Sequence, residues 1–199
     1  MRSTGVASRA SATRDALIAS ARRLFVEKGY FDTGTEEIVR NANVTRGALY
    51  HHFTDKKALF LAVFEAVEND LIASAGESAQ PADALERLHT GLLGFLDASL
   101  TPEVQRVLLI DGPAVLGWQE WRLLEARYGL GMIRQLLADA IDEGNLAPQP
   151  VDPLAHILLA AVDEAALFIA NAPKPRAARD ASARAMRSIL SGITGETST

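Results

Sequence analysis

Nine residues near the amino end, Thr45-Arg46-Gly47-Ala48-Leu49-Tyr50-His51-His52-Phe53, mix hydrogen-bonding side chains with apolar ones at a helical interval. Wound as a helix, Leu49 and Phe53 fall four apart with Ala48 beside them, and these turn inward. Thr45, Arg46, Tyr50 and His51 are left pointing out. A guanidinium such as Arg46 donates two parallel hydrogen bonds to a guanine edge or grips a phosphate. The hydroxyls of Thr45 and Tyr50 suit phosphate oxygens, and Tyr50 also suits a thymine methyl. Gly47 lacks the side chain that would hold a sugar-phosphate backbone away. Singly, each residue is an ordinary cap or surface group. Joined on one short helix, they point to duplex DNA.

The elements that must present this helix read at helical period throughout, with no alternating run of β-branched residues. Residues 1–12, small and polar with two arginines, are expected as a disordered basic arm. A first helix should start near Thr13, carry Leu17, Ala21, Leu24 and Phe25, and stop at Gly29. Thr33-x-x-Glu36 has the form of a capping box opening a short second helix with Ile38, Val39 and Ala42. Asn43 tolerates the left-handed turn that follows, and Thr45 caps the third helix, with Val44 and Leu49 placed as a hydrophobic staple. The two short helices joined by Ala42-Asn43-Val44-Thr45 have the form of a helix-turn-helix, whose second member enters the major groove. Asp55 caps a long fourth helix striped by Leu59, Phe60, Val63, Phe64, Val67 and Leu71. Thr33 and Thr35 at the start of the second helix, and Lys56 at the start of the fourth, put helix amides where phosphate is attracted.

Beyond a loop at Gly76–Pro81, helices are expected over 82–100, 102–111, about 117–143, 152–171 and 175–193, with breaks at Asp111-Gly112-Pro113 and 144–150. Gly129 and Gly131 inside the long one mark a bend or close packing. The fold class is therefore all-α: an amino-terminal three-helix unit with a helix-turn-helix over 13–57, followed by a larger helical domain over 58–199.

Composition bounds the function. The 199 residues are 48% hydrophobic, which excludes a disordered chain, and the absence of cysteine removes disulfides, thiolate metal sites and a cysteine nucleophile. Net charge is −5, yet residues 1–57 hold ten Lys/Arg against six Asp/Glu, a surplus of four positive charges. The remainder is acidic, so an acidic whole leaves a basic third free to approach phosphates. Chance segregation on a solvated surface would give the same count. Met1-Arg2-Ser3-Thr4-Gly5 lacks a signal-peptide core, and the apolar run Ile157–Val162 ends at Asp163-Glu164, short of a membrane span, so a cytoplasmic protein with no membrane partner is expected.

The stretch from Gly29-Tyr30-Phe31-Asp32-Thr33-Gly34-Thr35-Glu36-Glu37-Ile38-Val39 to Val44-Thr45-Arg46-Gly47-Ala48-Leu49-Tyr50-His51-His52-Phe53-Thr54-Asp55-Lys56-Lys57-Ala58-Leu59-Phe60 closely resembles the tetracycline-repressor (TetR) family over about residues 13–62. The resemblance implies phosphate contacts at Thr33, Thr35, Tyr50, His52 and Lys56, and base reading at Thr45, Arg46 and His51. Asn43 stands where a glycine is usual, Lys57 for a frequent glutamate, and Asp55 for a frequent serine cap. The remainder resembles, more weakly, the ligand-binding and dimerisation domain of such regulators.

In that domain Phe64, His89, Phe95, Asp111, Trp118, Trp121, Glu125, Tyr128, His156, Asp163 and Glu164 are available to an apolar cavity or to a core. Phe64, Phe95, Asp111, Trp118, Trp121, Tyr128 and Asp163 are taken as the ligand set. The helix over 152–171 is apolar nearly all round, and the last one pairs Ala178, Ala185, Met186, Ile189, Leu190 and Ile193 with arginines elsewhere. Such helices need cover on more than one side, so a homodimer through the last two is expected. A monomeric core is the alternative. No catalytic or phosphate-loop pattern appears, the spacing of His89 and His156 gives a metal site no support, and no cofactor is expected. The function implied is a ligand-responsive transcriptional regulator, most readily a repressor, released from a palindromic DNA operator by a small, largely apolar effector. A DNA-free helical interaction module and an enzyme are the competing classes.

Overall fold

A computed structural model describes residues 3–77 and 83–194. Ten α-helices follow one another among the described residues: α1 (Ser3–Lys28), α2 (Thr35–Asn41), α3 (Arg46–His52), α4 (Lys56–Glu77), α5 (Ala84–Ala98), α6 (Gly112–Leu116), α7 (Trp118–Glu125), α8 (Gly131–Asp142), α9 (Val151–Asn171) and α10 (Pro175–Thr194). Two π-helical segments, Val104–Asp111 and Ala126–Leu130, lead into α6 and α8. The chain is all-α, with the helix-turn-helix at its amino end and a helical carboxy-terminal region.

Several boundaries differ from the expected ones, each for a local reason. Helix α1 begins at Ser3, not near Thr13, because a stretch with three alanines and no proline lets the helix propagate backwards. The capping box at Thr33 does not form. Gly34 is the N-cap of α2 and offers no side chain, while Thr33 is buried and turned back toward α1. Asn43 has the expected left-handed backbone, φ 54°, and Thr45 accepts the Ala48 amide at 3.2 Å as the cap of α3. Asp55 accepts the Ala58 amide at 2.7 Å as the cap of α4. That helix runs through Gly76 to Glu77, so the expected loop starts later, and its residues 78–81 lie outside the described ones.

The break expected at Asp111-Gly112-Pro113 is absent. Pro113 sits in the first turn of α6, where its missing amide is harmless, and the chain turns instead at Gly117 (φ 88°). The long helix expected over 117–143 is divided by the π segment at 126–130. Gly129 lies there, and a Cβ on it would stand 2.9 Å from Leu159 Cδ1. The π turn therefore brings backbone against α9, as these bulges do at functional positions.

Packing does not divide at Lys57. One continuous core joins Leu17, Phe25, Leu49 and Phe53 of the amino-terminal helices to Phe60, Val63 and Phe64 of α4, and on to Leu108 and Trp121. Phe25 and Phe60 meet edge-on at 5.5 Å between centroids, and Tyr30 lies 5.2 Å from Phe60. Aromatic contacts of this kind add about 0.5–1.5 kcal/mol each beyond the area they bury. A second core is built from α5, α8, α9 and α10 around Leu88, Leu96, Leu137, Leu158 and Met186.

Polar contacts fasten the helix-turn-helix to the rest. Arg22 of α1 pairs with Glu103 at 2.6 Å, Lys57 with Glu120 at 2.8 Å, and buried Asp111 accepts the Tyr30 amide at 2.7 Å and Arg106 Nε at 3.3 Å. Gly29, φ 83°, ends α1 where a Cβ would lie 1.8 Å from the Arg106 guanidinium. Gly29→Ala should thus destabilise the fold by at least the roughly 1–2 kcal/mol of a left-handed non-glycine residue. It should also displace Arg106 from Asp111. Thermal melts and proteolysis of the α1–α2 loop check both effects.

Candidate nucleic-acid interface and effector cavity

Helix α3 buries Leu49 in the shared core, with Phe53 just after it, and leaves Thr45, Arg46, Gly47, Tyr50 and His51 exposed. Arg46 pairs with Glu36 of α2 at 2.9 Å, both side chains about two-thirds exposed, and lies over the Tyr50 ring at 5.6 Å. An ion pair so open to water contributes little, so a stronger anionic partner can take the guanidinium at small cost. Around Gly47 a Cβ would meet only Thr45 Oγ1, at 3.9 Å, leaving the backbone open to close approach. His51 and His52 stack edge-on at 5.3 Å, with His52 half-buried. Thr35 is half-buried at the first position of α2.

Two members of the expected phosphate set are otherwise engaged. Thr33 is 1% exposed, and its hydroxyl donates to the Gly29 carbonyl at 2.7 Å. Thr33 is therefore a structural clasp between α1 and α2, which corrects the expected phosphate contact. Lys56 donates to the Thr33 carbonyl at 2.7 Å and lies 4.1 Å from the Tyr30 ring centroid. Burial lowers its pKa, an effect that the nearby Asp111 and Asp32 carboxylates oppose. In the unbound chain Lys56 ties the start of α4 to the start of α2. Lys57 turns to Glu120 of α7.

The carboxy-terminal region encloses a cavity of about 290 Å³ among α4, α5, α7, α8, α9 and the Ala126–Leu130 segment. Its wall is largely apolar, with Leu88, Leu92, Phe95 and Leu159 prominent, and Phe95, Tyr128 and Asp163 of the expected set line it. The other four do not. Phe64 and Trp121 are fully buried in the amino-terminal core, and Trp121 Nε1 donates to the Leu108 carbonyl at 2.9 Å. Trp118 is 59% exposed outside, and Asp111 is spent on Tyr30 and Arg106. Aromatic type alone did not separate core from cavity, because both bury rings equally well.

Two glutamates complete the lining. Glu125 is among the residues available to a cavity but outside the expected ligand set, and Glu68 is in neither. The signal was present: Glu68 follows Phe64 by four and so interrupts the apolar stripe of α4. Glu68, Glu125 and Asp163 are each at most 4% exposed. Asp163 is answered by Arg122 at 2.5 Å, yet burial still pushes its carboxyl up to about 6. Burial pushes Glu68 up to about 7. Glu125 is raised well above the carboxylate range, first by burial and then by its acidic neighbours Glu68 and Asp163. The two glutamates act on each other in opposite directions, Glu125 lowering Glu68 while Glu68 raises Glu125. Glu164, the other half of the acidic pair on α9, points to solvent.

Comparisons with known proteins cover both regions. The family model described as "Bacterial regulatory proteins, tetR family" matches residues 17–63, and that described as "Tetracyclin repressor-like, C-terminal domain" matches residues 85–193. The Transposon Tn10 TetC protein of Escherichia coli is 31% identical over 152 residues, 73% of this chain and 74% of that protein. The HTH-type transcriptional regulator AcrR of Shigella flexneri is 35% identical over 102 residues, 50% of this chain and 47% of that one. The crystal structure of a TetR-family transcriptional regulator from Pectobacterium atrosepticum superposes with a TM-score of 0.83 at 31% identity, covering 94% of this chain and 96% of that one.

A carboxyl whose pKa is raised on folding holds its proton more tightly when folded. Stability is then greatest below the unfolded pKa and falls as pH rises toward the folded one. For Glu68 that window runs from the ordinary carboxyl range up to about 7. Glu68→Gln keeps the shape without the charge. It should raise stability at pH 8 by on the order of 2–3 kcal/mol and flatten the slope between pH 5 and 8, as read by thermal denaturation across that range.

Proposed function

Because this chain belongs to the TetR family of bacterial regulatory proteins, we propose that it is a ligand-responsive repressor. On this reading, a small, largely apolar effector entering the cavity releases it from a palindromic operator. Membership makes the chain a DNA-binding transcriptional regulator and not an enzyme. The finer reading assigns residues 13–57 to DNA recognition and 58–199 to effector binding and pairing, in a cytoplasmic protein.

The observation that carries it is the reach of one helix. Helix α4 starts at Lys56, tied to α2 through the Thr33 carbonyl, and its Glu68 and Leu71 line the cavity. Twelve residues separate Lys56 from Glu68, about 18 Å of helix at a 1.5 Å rise. An effector that prefers one position of α4 shifts the placement of α3, provided it binds the two shapes with different affinity. Asp111 supplies a second connection, since it holds the α1–α2 loop from the effector side through the Tyr30 amide. In this reading Thr45, Arg46 and His51 read bases, and Thr35, Tyr50 and His52 meet phosphates. Gly47 lets the backbone close in, while Lys56 acts chiefly by placing α4.

Pairing through α9 and α10 is supported by what they leave uncovered. Ile157 and Phe168 of α9 are 61% and 59% exposed, and Ile189 of α10 is 44% exposed. Helix α9 is long and apolar enough by composition to span a bilayer, but its other face holds Leu158, Val162, Ile169 and the ion-paired Asp163 inside the core. A two-fold copy of the same faces forms a four-helix interface and sets two reading helices in successive major grooves, about one turn (~34–36 Å) or a multiple apart.

Fragments selected from a random duplex pool should bind with an affinity that falls steeply with salt. Arg46→Ala should relax the preference at one base position by about 1–3 kcal/mol. Binding indifferent to salt and sequence would overturn the reading. Phe168→Glu should convert the chain to single copies in sedimentation and abolish operator binding without lowering its helix content. A monomeric wild type would refute the pairing surface.

A further inference from the structure

The polar end of the cavity is a chemical oddity in an apolar wall. Three carboxyl groups from three helices converge there: Glu68 from α4, Glu125 from α7 and Asp163 from α9. The one guanidinium beside them, Arg122, is held by Asp163. Among the described residues neither Glu68 nor Glu125 forms an ion pair, and Oε1 of each is buried without a hydrogen bond. Burying polar atoms unpaired is costly, and apolar residues of similar volume would serve a mere core better. Both side chains line the apolar cavity, and each keeps one oxygen without a hydrogen-bond partner.

We propose that the cavity selects an amphipathic organic cation: a nitrogen-centred positive charge held between Glu68 and Glu125, with an apolar body along Leu88, Leu92 and Leu159. An anion would face the three acidic groups of the lining. A neutral molecule offers these carboxyls no charge to pair with. A cation answers both oxygens at once and gains from the faces of Phe95 and Tyr128, which line the same space. Burial raises the pKa of both glutamates, and a positive charge between them would favour their ionised forms. The inference rests on the reading of the cavity as the effector site and names the chemistry of what enters it. It also locates the coupling, because Glu68 stands on the helix that carries the DNA-reading unit at its other end.

Three probes with the same ten-carbon tail separate the possibilities: decyltrimethylammonium and decanoate, each below its micelle-forming concentration, and decanol below its solubility limit. Binding to the full chain is measured by calorimetry, and release of a selected DNA fragment by gel shift. The ammonium should bind at least about tenfold more tightly than decanol, decanoate should bind least, and the ammonium should release the DNA. Glu68→Gln and Glu125→Gln should each reduce ammonium affinity by about tenfold or more while changing decanol binding little. Both keep side-chain volume, and the comparison of head groups on the unaltered chain stands even if one variant folds poorly. Decanol or decanoate binding as tightly as the ammonium would overturn the cation, as would undiminished ammonium affinity in both variants. The effector reading would survive either result if the better ligand still released DNA. If no probe binds and the DNA stays bound, the cavity is not an effector site and the cation falls with it.

Discussion

The packing of α4 is the constraint on which the rest depends. Its first turns are walled into the amino-terminal core by Phe60, Val63 and Phe64 against Phe25 and Trp121, and its later turns form one side of the cavity. Close-packed interiors transmit displacement because they have no slack in which to absorb it. A helix held at one end by aromatic contacts and exposed at the other to a ligand-sized space cannot shift at one without shifting at the other. The helix-turn-helix is thus not an independent module on a linker, since its core is continuous with that of the carboxy-terminal region.

The polar contacts across this junction have a different character from the apolar ones. The Tyr30 amide on Asp111 is buried and specific in direction, so losing it leaves a buried acceptor short of one donor. Lys57 with Glu120 and Arg22 with Asp70 are partly exposed pairs that add orientation more than stability. Apolar packing keeps the two regions together, and the directional bonds choose one relative placement among those that packing allows. Such an arrangement suits a switch, since a few bonds can be exchanged while the core stays buried.

The cavity opposes stability locally. Its carboxyl groups are buried together where α4, α7 and α9 converge, which costs free energy at neutral pH. Sites of this kind are expected where function and folding compete, because a fully compensated cluster would have no free energy left to give to a ligand. The outward faces of α9 and α10 show the same competition. Apolar groups are left in water there, and they become intelligible when a second copy covers them.

The amino-terminal third was legible from its residues because its determinants are local. Leu49 and Phe53 face inward by helical geometry, Thr45 caps by its own side chain, and Asn43 takes a turn that its type permits. None of these needs a distant partner, and the resemblance carried by that stretch follows the same residues. Thr33 shows where local reading stops: its type suited a cap, but the return of the chain at Gly29 gave its hydroxyl a nearer carbonyl. In the carboxy-terminal region helical period predicted helices but not which face of each would meet which other. Phe64 and Trp121 went to the core, and Glu68 and Glu125 went to the cavity. The physical reason is that secondary structure is set by neighbours within four residues, whereas the sorting of equally apolar or equally acidic side chains depends on contacts between segments far apart in the chain. That information exists only once the helices have packed.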